Sequence, residues 1–315
     1  MKKQIRLYLP MILILSMVLA TFTACTGGQE KPNSQENQNG SRELPKILPE
    51  MEEKILEIMY ALDSIPGIGK ALFQREILEI ETRVESDVDH SQEEKESIAK
   101  KHINPQRFIS EESAIICVLE EEEVKPSIVK VDQLPSDIDD AWYEISKVFY
   151  QIHRQWNVLE VHLGDGGISA ESVELGRQSL NQATLYMEEK DVLNSLYSLN
   201  SLMYYLSLYR SHYLYKIPHE IYELKYGMRQ ACLLAFDGRF DESITITKQA
   251  MELVNQLRPG LIEKDAQTVL QKLDFSLLEM QEEGNLREYH LLKMKAAVTM
   301  KNIALATAPF EAQGK

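Results

Sequence analysis

Histidine, cysteine and tryptophan are scarce in this chain: seven, three and two of 315 residues. Three cysteines are too few for a disulfide-stapled scaffold. Basic residues are also in deficit, 34 against 49 acidic, for a net charge of −15. A broad nucleic-acid-binding face needs clustered Lys and Arg to displace counterions, so nucleic acid is not an expected partner. Catalytic signatures are missing as well. There is no Gly-x-Ser-x-Gly, no phosphate-binding Gly-x-x-x-x-Gly-Lys-Ser/Thr, no His-Glu-x-x-His and no calcium loop. No Glu-x-x-His pair exists to build a di-metal centre between helices. His153 and His162 are nine residues apart and diverge around a helix, while His212 and His219 flank Pro218 and meet only through an unusual turn. No metal, no cofactor and no catalytic residue is expected, and the chain reads as a non-enzyme. A motif-less enzyme or small-molecule binder with a pocket between helices is the rival reading.

What the chain does have begins at its N-terminus. Lys2, Lys3 and Arg6 precede Leu7 to Ala20, a stretch interrupted only by Pro10 and Ser16. That is short for a membrane span and fits the core of a signal peptide. Phe22-Thr23-Ala24-Cys25 follows, and this apolar–small–small–Cys order resembles the lipobox of bacterial lipoproteins. The resemblance implies a diacylglyceryl (palmitate-type) modification of Cys25 and cleavage between Ala24 and Cys25. It also implies a place on the cell membrane, lipid-anchored and facing outside the cytoplasm. Two acyl chains hold a protein stably where one does not. Loss of residues 1–24 removes three positive charges and no negative one, moving the net charge from −15 to −18. Attraction to anionic lipid then contributes nothing, and the acyl chains are the anchor.

Residues 25–41 hold the modified Cys and, from Thr26 to Ser41, no aliphatic or aromatic side chain, so they read as a flexible tether. Cys117 and Cys232 sit in apolar surroundings and read as two buried thiols, with a disulfide between them the alternative for an exported protein.

The rest is a succession of apolar stripes at alternating steps of four and three, the period of an all-α protein. Met51, Ile55, Ile58, Leu62 and Ile65 form the first. Ile138, Trp142, Ile145, Phe149, Ile152, Trp156, Leu159 and Leu163 form the longest, which predicts that both tryptophans are buried. Five shorter stripes follow between Val173 and Met280. Ser136, with Asp139 three residues on, reads as the cap of the tryptophan helix. Gly164 to Gly167 ends that helix, Pro218 starts another, and Pro259-Gly260 reads as a separator.

Turns are predicted at Glu189-Lys190-Asp191, Asp237-Gly238-Arg239 and Glu283-Gly284-Asn285, which makes the C-terminal half three helical hairpins in series. The segment around Ala231, Leu234, Gly238-Arg239-Phe240-Asp241-Glu242-Ser243 and Ala250 resembles half of a tetratricopeptide repeat, though Ser243 and Thr247 depart from its pattern. Antiparallel hairpins forming an up-down bundle or a tetratricopeptide-like array are both consistent with this. Residues 42–85 read as an N-terminal helical segment, 86–135 as an acidic, partly ordered linker, 136–306 as the hairpin domain and 307–315 as a tail. Within the linker, Ala114 to Leu119 is a short apolar element, helix or strand.

Ile152 to Asn157, Leu199-Asn200, Pro218 through Tyr226, and Lys293 to Ala296 with Asn302-Ile303 resemble a group of uncharacterised helical lipoproteins of clostridia-like bacteria. The resemblance spans about residues 136–305 and implies fold and location, with no activity attached.

Two constellations carry functional hypotheses. Pro66-Gly67-Ile68-Gly69-Lys70 resembles the helix-hairpin-helix turn of DNA-binding proteins, which would make the chain an exported DNA binder through Gly67, Ile68, Gly69 and Lys70. The acidic flanks oppose that, and a Pro-Gly turn between packed helices is the alternative. Nine of the fourteen tyrosines fall between Tyr186 and Tyr226. Tyr205, Tyr209 and Tyr213 step by four, as do Tyr222 and Tyr226. They read either as packing between hairpins or as a recognition surface for an envelope protein, peptide or glycan. The expected role is a lipid-anchored docking or binding module.

Overall fold

Met51, Ile55, Ile58 and Leu62 are fully buried, and the stripe they begin runs through Ile65, Ile68 and Ala71 without a break. It lies on α1 (Ile47–Glu85), a single helix of 39 residues that carries Pro66 in its interior. The structure is a computed structural model that describes residues 43–85, 103–129 and 134–311. The stretches expected to be signal peptide and tether, with Ala24 and Cys25, lie outside the described residues.

A turn at Pro66-Gly67 is therefore not what the chain forms. The Pro66 ring faces solvent, and the apolar stripe on the opposite side keeps the helix continuous. Gly67 marks a contact instead. A Cβ there would lie 2.4 Å from the Ile109 Cα, because α2 (Pro105–Glu112) crosses α1 at this point.

The stretch read as a linker supplies core. Residues 103–129 contain α2 and α3 (Ile116–Glu121), and Ile109, Ala114, Ile115, Ile116, Val118 and Leu119 are all buried. The apolar run is a helix, and Asp63 of α1 holds its start, accepting the N–H groups of Ala114 at 2.8 Å and Ile115 at 2.7 Å.

α4 (Ile138–Asp165) buries the predicted stripe from Trp142 to Leu163, Trp156 included, and leaves Ile138 at its start partly buried. Its cap is Asp137 rather than Ser136: the Asp137 carboxylate accepts the Asp140 N–H at 2.9 Å. An ionised carboxylate satisfies the free N–H and also complements the helix dipole. Three hairpins follow. They pair α5 (Ala170–Glu188) with α6 (Val192–Arg210), α7 (His219–Phe236) with α8 (Phe240–Glu263), and α9 (Gln267–Leu286) with α10 (Tyr289–Glu311).

The first two hairpin turns fall where expected, with φ of 56° at Lys190 and 76° at Gly238. The third does not: Glu283 to Asn285 stay in α9 and the chain reverses at Arg287, φ 58°. Likewise Pro259-Gly260 lies inside α8, and the break comes at Asp265, φ 56°. Gly284 is a close approach, and Gly260 lies in ordinary contact with its neighbour. A Cβ on Gly284 would meet Ile244 Cγ1 at 2.9 Å, and one on Gly260 would meet the Phe310 ring at 3.4 Å. Phe310 itself is buried, so the helical body continues past residue 306 into what read as tail.

Ten helices and no strand occur among the described residues; Glu43 and Leu214 make one isolated bridge. α7, α8, α9 and α10 pack in sequence and α10 returns to α7, which is the closed pairing of an up-down bundle. α4, α5, α6 and α1 form a second such ring, joined to the first where α6 packs on α7. α3 rests on α10, α1 and α7, at the place where the rings meet.

Candidate functional site

The five singled-out tyrosines do not form an exposed face. Tyr209 is fully buried, and its hydroxyl donates to the Ser172 carbonyl at 2.8 Å. Tyr213 is buried and donates to the His162 carbonyl at 2.9 Å. Tyr205 and Tyr226 are half-buried, each against the Tyr204 ring, with centroids 5.6 and 4.9 Å away. Tyr222 lies over the Arg210 guanidinium at 3.8 Å, with Tyr215 on the same cation at 4.9 Å. The cause is topological. α6 packs against α5, α7 and α1, so a face beside its core stripe is still interior.

Arg210 closes this region. It forms a two-bonded ion pair with Glu52, through Nε to Oε1 at 3.0 Å and through Nη2 to Oε2, and both side chains are buried. Its Nη1 has no hydrogen-bond partner.

A second charged network sits where α3 meets α7. Glu122 receives Arg229 Nη1 and lies 3.5 Å from Lys225 Nζ. Arg229 Nε donates to Asn200 Oδ1 at 2.9 Å, and Asn200 Nδ2 donates to Gln230 Oε1 at 3.0 Å. Burial pushes the Glu122 carboxyl up, but the charges of Arg229 and Lys225 outweigh it and hold the group below the ordinary glutamate range.

The third cluster is the one closest to chemistry. Lys293 Nζ donates to the Ser113 carbonyl at 2.5 Å, to Ser113 Oγ at 3.1 Å and to the Ser110 carbonyl at 3.4 Å. The Tyr289 hydroxyl donates to the carbonyls of Ser113 and Ala114, each at 3.1 Å. Asp63, Cys117 and Cys232 adjoin. A serine beside a lysine is a nucleophile–base pairing in some hydrolases. Here the ammonium is held by main-chain carbonyls and Ser113 is 1% exposed, so no substrate reaches the hydroxyl. Both thiols are free and held in the protonated form: burial pushes Cys117 up to about 11 and Cys232 well above its usual value. The cluster fastens α10 to the α2–α3 connection.

Gly67, Ile68, Gly69 and Lys70 lie mid-helix, where each backbone N–H is already engaged along α1. Ile68 is buried and Lys70 pairs with Glu112 of α2. The helix-hairpin-helix turn is thereby overturned, since no free N–H groups converge there on a phosphate.

Among the described residues no three His, Cys, Asp or Glu side chains converge as a metal-ligand set. His153 contacts Thr184 Oγ1 at 3.0 Å, and burial lowers its pKa. His162 and His212 are exposed, and His219 lies 3.3 Å from Glu220 and 3.4 Å from Glu223.

Several large apolar and aromatic side chains face outward among the charged ones. On α4, Tyr143 and Tyr150 are 64% and 70% exposed, and Val158 and Val161 continue the same side. Lys147 lies 5.3 Å over the Tyr143 ring, and Arg154 is exposed between the tyrosines and the valines. The signal was in the sequence, as a seven-residue spacing off the tryptophan stripe. Beside the start of α4, a cleft of about 320 Å³ is lined by Val129, Leu134, Ser136, Asp140 and Glu144 among others. No helix among the described residues is long and apolar enough to cross a membrane. Comparison with protein-family models, with curated proteins and with solved structures finds no match.

Proposed function

We propose that the chain is a lipid-anchored lipoprotein facing outside the cytoplasm, whose helical body is a docking module for an envelope protein, peptide or glycan. The anchor rests on the lipobox-like Phe22-Thr23-Ala24-Cys25 after a short apolar core. The observation that carries docking is the row on α4. Large aromatic side chains left in solvent on a rigid helix are the raw material of binding hot spots. The charged clusters, by contrast, are closed in on themselves and join helices to one another.

A photo-crosslinker at Arg154, next to this row, tests the reading in intact cells. One recurrent crosslinked protein or glycan, lost on Tyr143→Asp with helicity unchanged, is the expected result. No crosslink, together with a small molecule co-purifying in stoichiometric amount, would favour the pocket-based rival at the α4 cleft.

A further inference from the structure

Residues 211–218 connect α6 to α7 and are pinned at both sides. Tyr213 is buried and bonded to the His162 carbonyl, and Ile217 is buried. Between these pins Leu214 is 63% exposed and Tyr215 43%. Tyr215 is itself steadied. Its ring lies 4.9 Å from the Arg210 guanidinium, and its hydroxyl receives that of Tyr222 at 3.4 Å. The loop is a fixed wedge with a leucine at its tip and an aromatic ring beside it. The chain that enters the body from the N-terminal side runs along this wedge, because Glu43 makes its isolated parallel bridge with Leu214.

We propose that this loop, led by Leu214 and Tyr215, docks on the lipid leaflet that holds the acyl chains, and so fixes which end of the helical body faces the membrane. The proposal rests on the reading of Cys25 as lipidated and deepens it, by naming the surface of the body that meets the lipid.

Three facts select lipid as the occupant. The first is where the chain enters. Seventeen residues, 26–42, separate Cys25 from Glu43, and a chain of their Gly-, Ser-, Gln- and Asn-rich composition has a root-mean-square reach of about 23 Å. α4 alone, with 28 residues, is about 42 Å long. The end of the body that carries Glu43 is therefore the end presented to the leaflet, and Leu214 stands on it. The second is side-chain chemistry. A leucine reaches the acyl boundary while a tyrosine beside it keeps its ring at headgroup level and its hydroxyl in water. Two such residues bind lipid weakly on their own, but the acyl anchor makes their contact intramolecular, so a small wedge suffices to orient the body. The third is charge. Neither connection at this end, 166–169 or 211–218, contains Asp or Glu, and the second contains His212 and Lys216. The opposite end of α5 and α6 turns through Glu189, Lys190 and Asp191, with Asp139 of α4 bound to Lys190 at 2.6 Å. An anionic leaflet repels that end more. Glu43 and Asp165 flank the wedge, so its hold on lipid is apolar, and Lys216 serves to offset repulsion.

Photo-crosslinking of the full chain in intact cells tests this, with a benzophenone-bearing residue in place of Leu214 or, in a separate chain, of Lys190. α6 sets the two positions about 28 Å apart. Phospholipid adducts at position 214 are expected to exceed those at position 190 on the order of 10-fold. With the probe moved to Lys216, Leu214→Asp is expected to cut the lipid adducts on the order of 10-fold, while palmitate label and membrane fractionation stay unchanged because two acyl chains suffice for anchoring. The N-terminus is analysed by mass in the same samples. A protein without lipid on Cys25 overturns the anchor and this proposal together. A lipidated, membrane-bound protein that gives equal adducts at both positions, or a protein adduct and no lipid at position 214, overturns this proposal alone. So does a Leu214→Asp chain that keeps its lipid adducts.

Discussion

Arg210 and Glu52 pair through two hydrogen bonds inside the protein, 158 residues apart in sequence, and tie the end of α6 to the start of α1. Neither is legible as a core residue. A buried charge is tolerated only when its partner is present, so removing one side leaves the other stranded. Glu52→Ala is expected to destabilise the protein by about 3–5 kcal/mol in urea unfolding. Replacing both by Arg210→Met and Glu52→Leu is expected to cost far less than the single change. Equal losses in the single and double variants would mean that the pair is not what joins the helices.

The glycines of α1 give opposite signs. Gly67→Ala places a Cβ against the Ile109 backbone, so α2 must move, and a loss of about 1–3 kcal/mol is expected. Gly69 has nothing within 4 Å of the same position, and Gly69→Ala is expected to stabilise the helix by about 0.5–1 kcal/mol. Thermal denaturation of the two variants reads both signs. If the segment were a turn with free N–H groups, both would lose stability.

Glu122 makes stability depend on acid. Arg229 and Lys225 hold its carboxyl below the ordinary glutamate value of 4.5 in the folded protein, against the effect of burial. The unfolded chain therefore binds more protons near that value, so this contribution is present above it and is lost as pH falls through the folded value. Glu122→Gln is expected to lower stability near neutral pH and to flatten the decline on acidification. Denaturant midpoints followed from neutral pH into the acid range check it; an unchanged acid slope would contradict it.

Cys117 and Cys232 are both held protonated by burial, Cys117 up to about 11. In native protein near neutral pH, iodoacetamide is expected to leave Cys232 unlabelled and to label Cys117 slowly, with both reacting after unfolding. Rapid native labelling of Cys232 would show that α7 opens readily.

Much of the fold was written in local pattern. The tryptophan stripe located α4 and its buried face, and the turns at Lys190 and Gly238 lie where small or polar residues interrupt the period. Pro66-Gly67, Pro259-Gly260 and Gly284 misled for one reason. A glycine that lets helices touch and a glycine that lets the chain turn look alike until the partner is known, and here Ile109, Phe310 and Ile244 are those partners. Ala114 to Leu119 was too short for its period to separate helix from strand; Asp63, about fifty residues earlier, decides it. The spacing of the α6 tyrosines describes one helix at a time, whereas three neighbouring helices enclose them. The outward row on α4 shows only once the buried stripe is fixed.

The proposed lipid anchor depends on Cys25. The direct measurement compares the protein with its Cys25→Ala variant in cells given labelled palmitate, followed by fractionation and mass analysis of the mature N-terminus. The unaltered protein is expected to carry label, to sit in the membrane fraction and to begin at a diacylglyceryl-modified Cys25, with all three lost in the variant. An N-terminus that keeps Met1, or label and membrane association that survive Cys25→Ala, would contradict it.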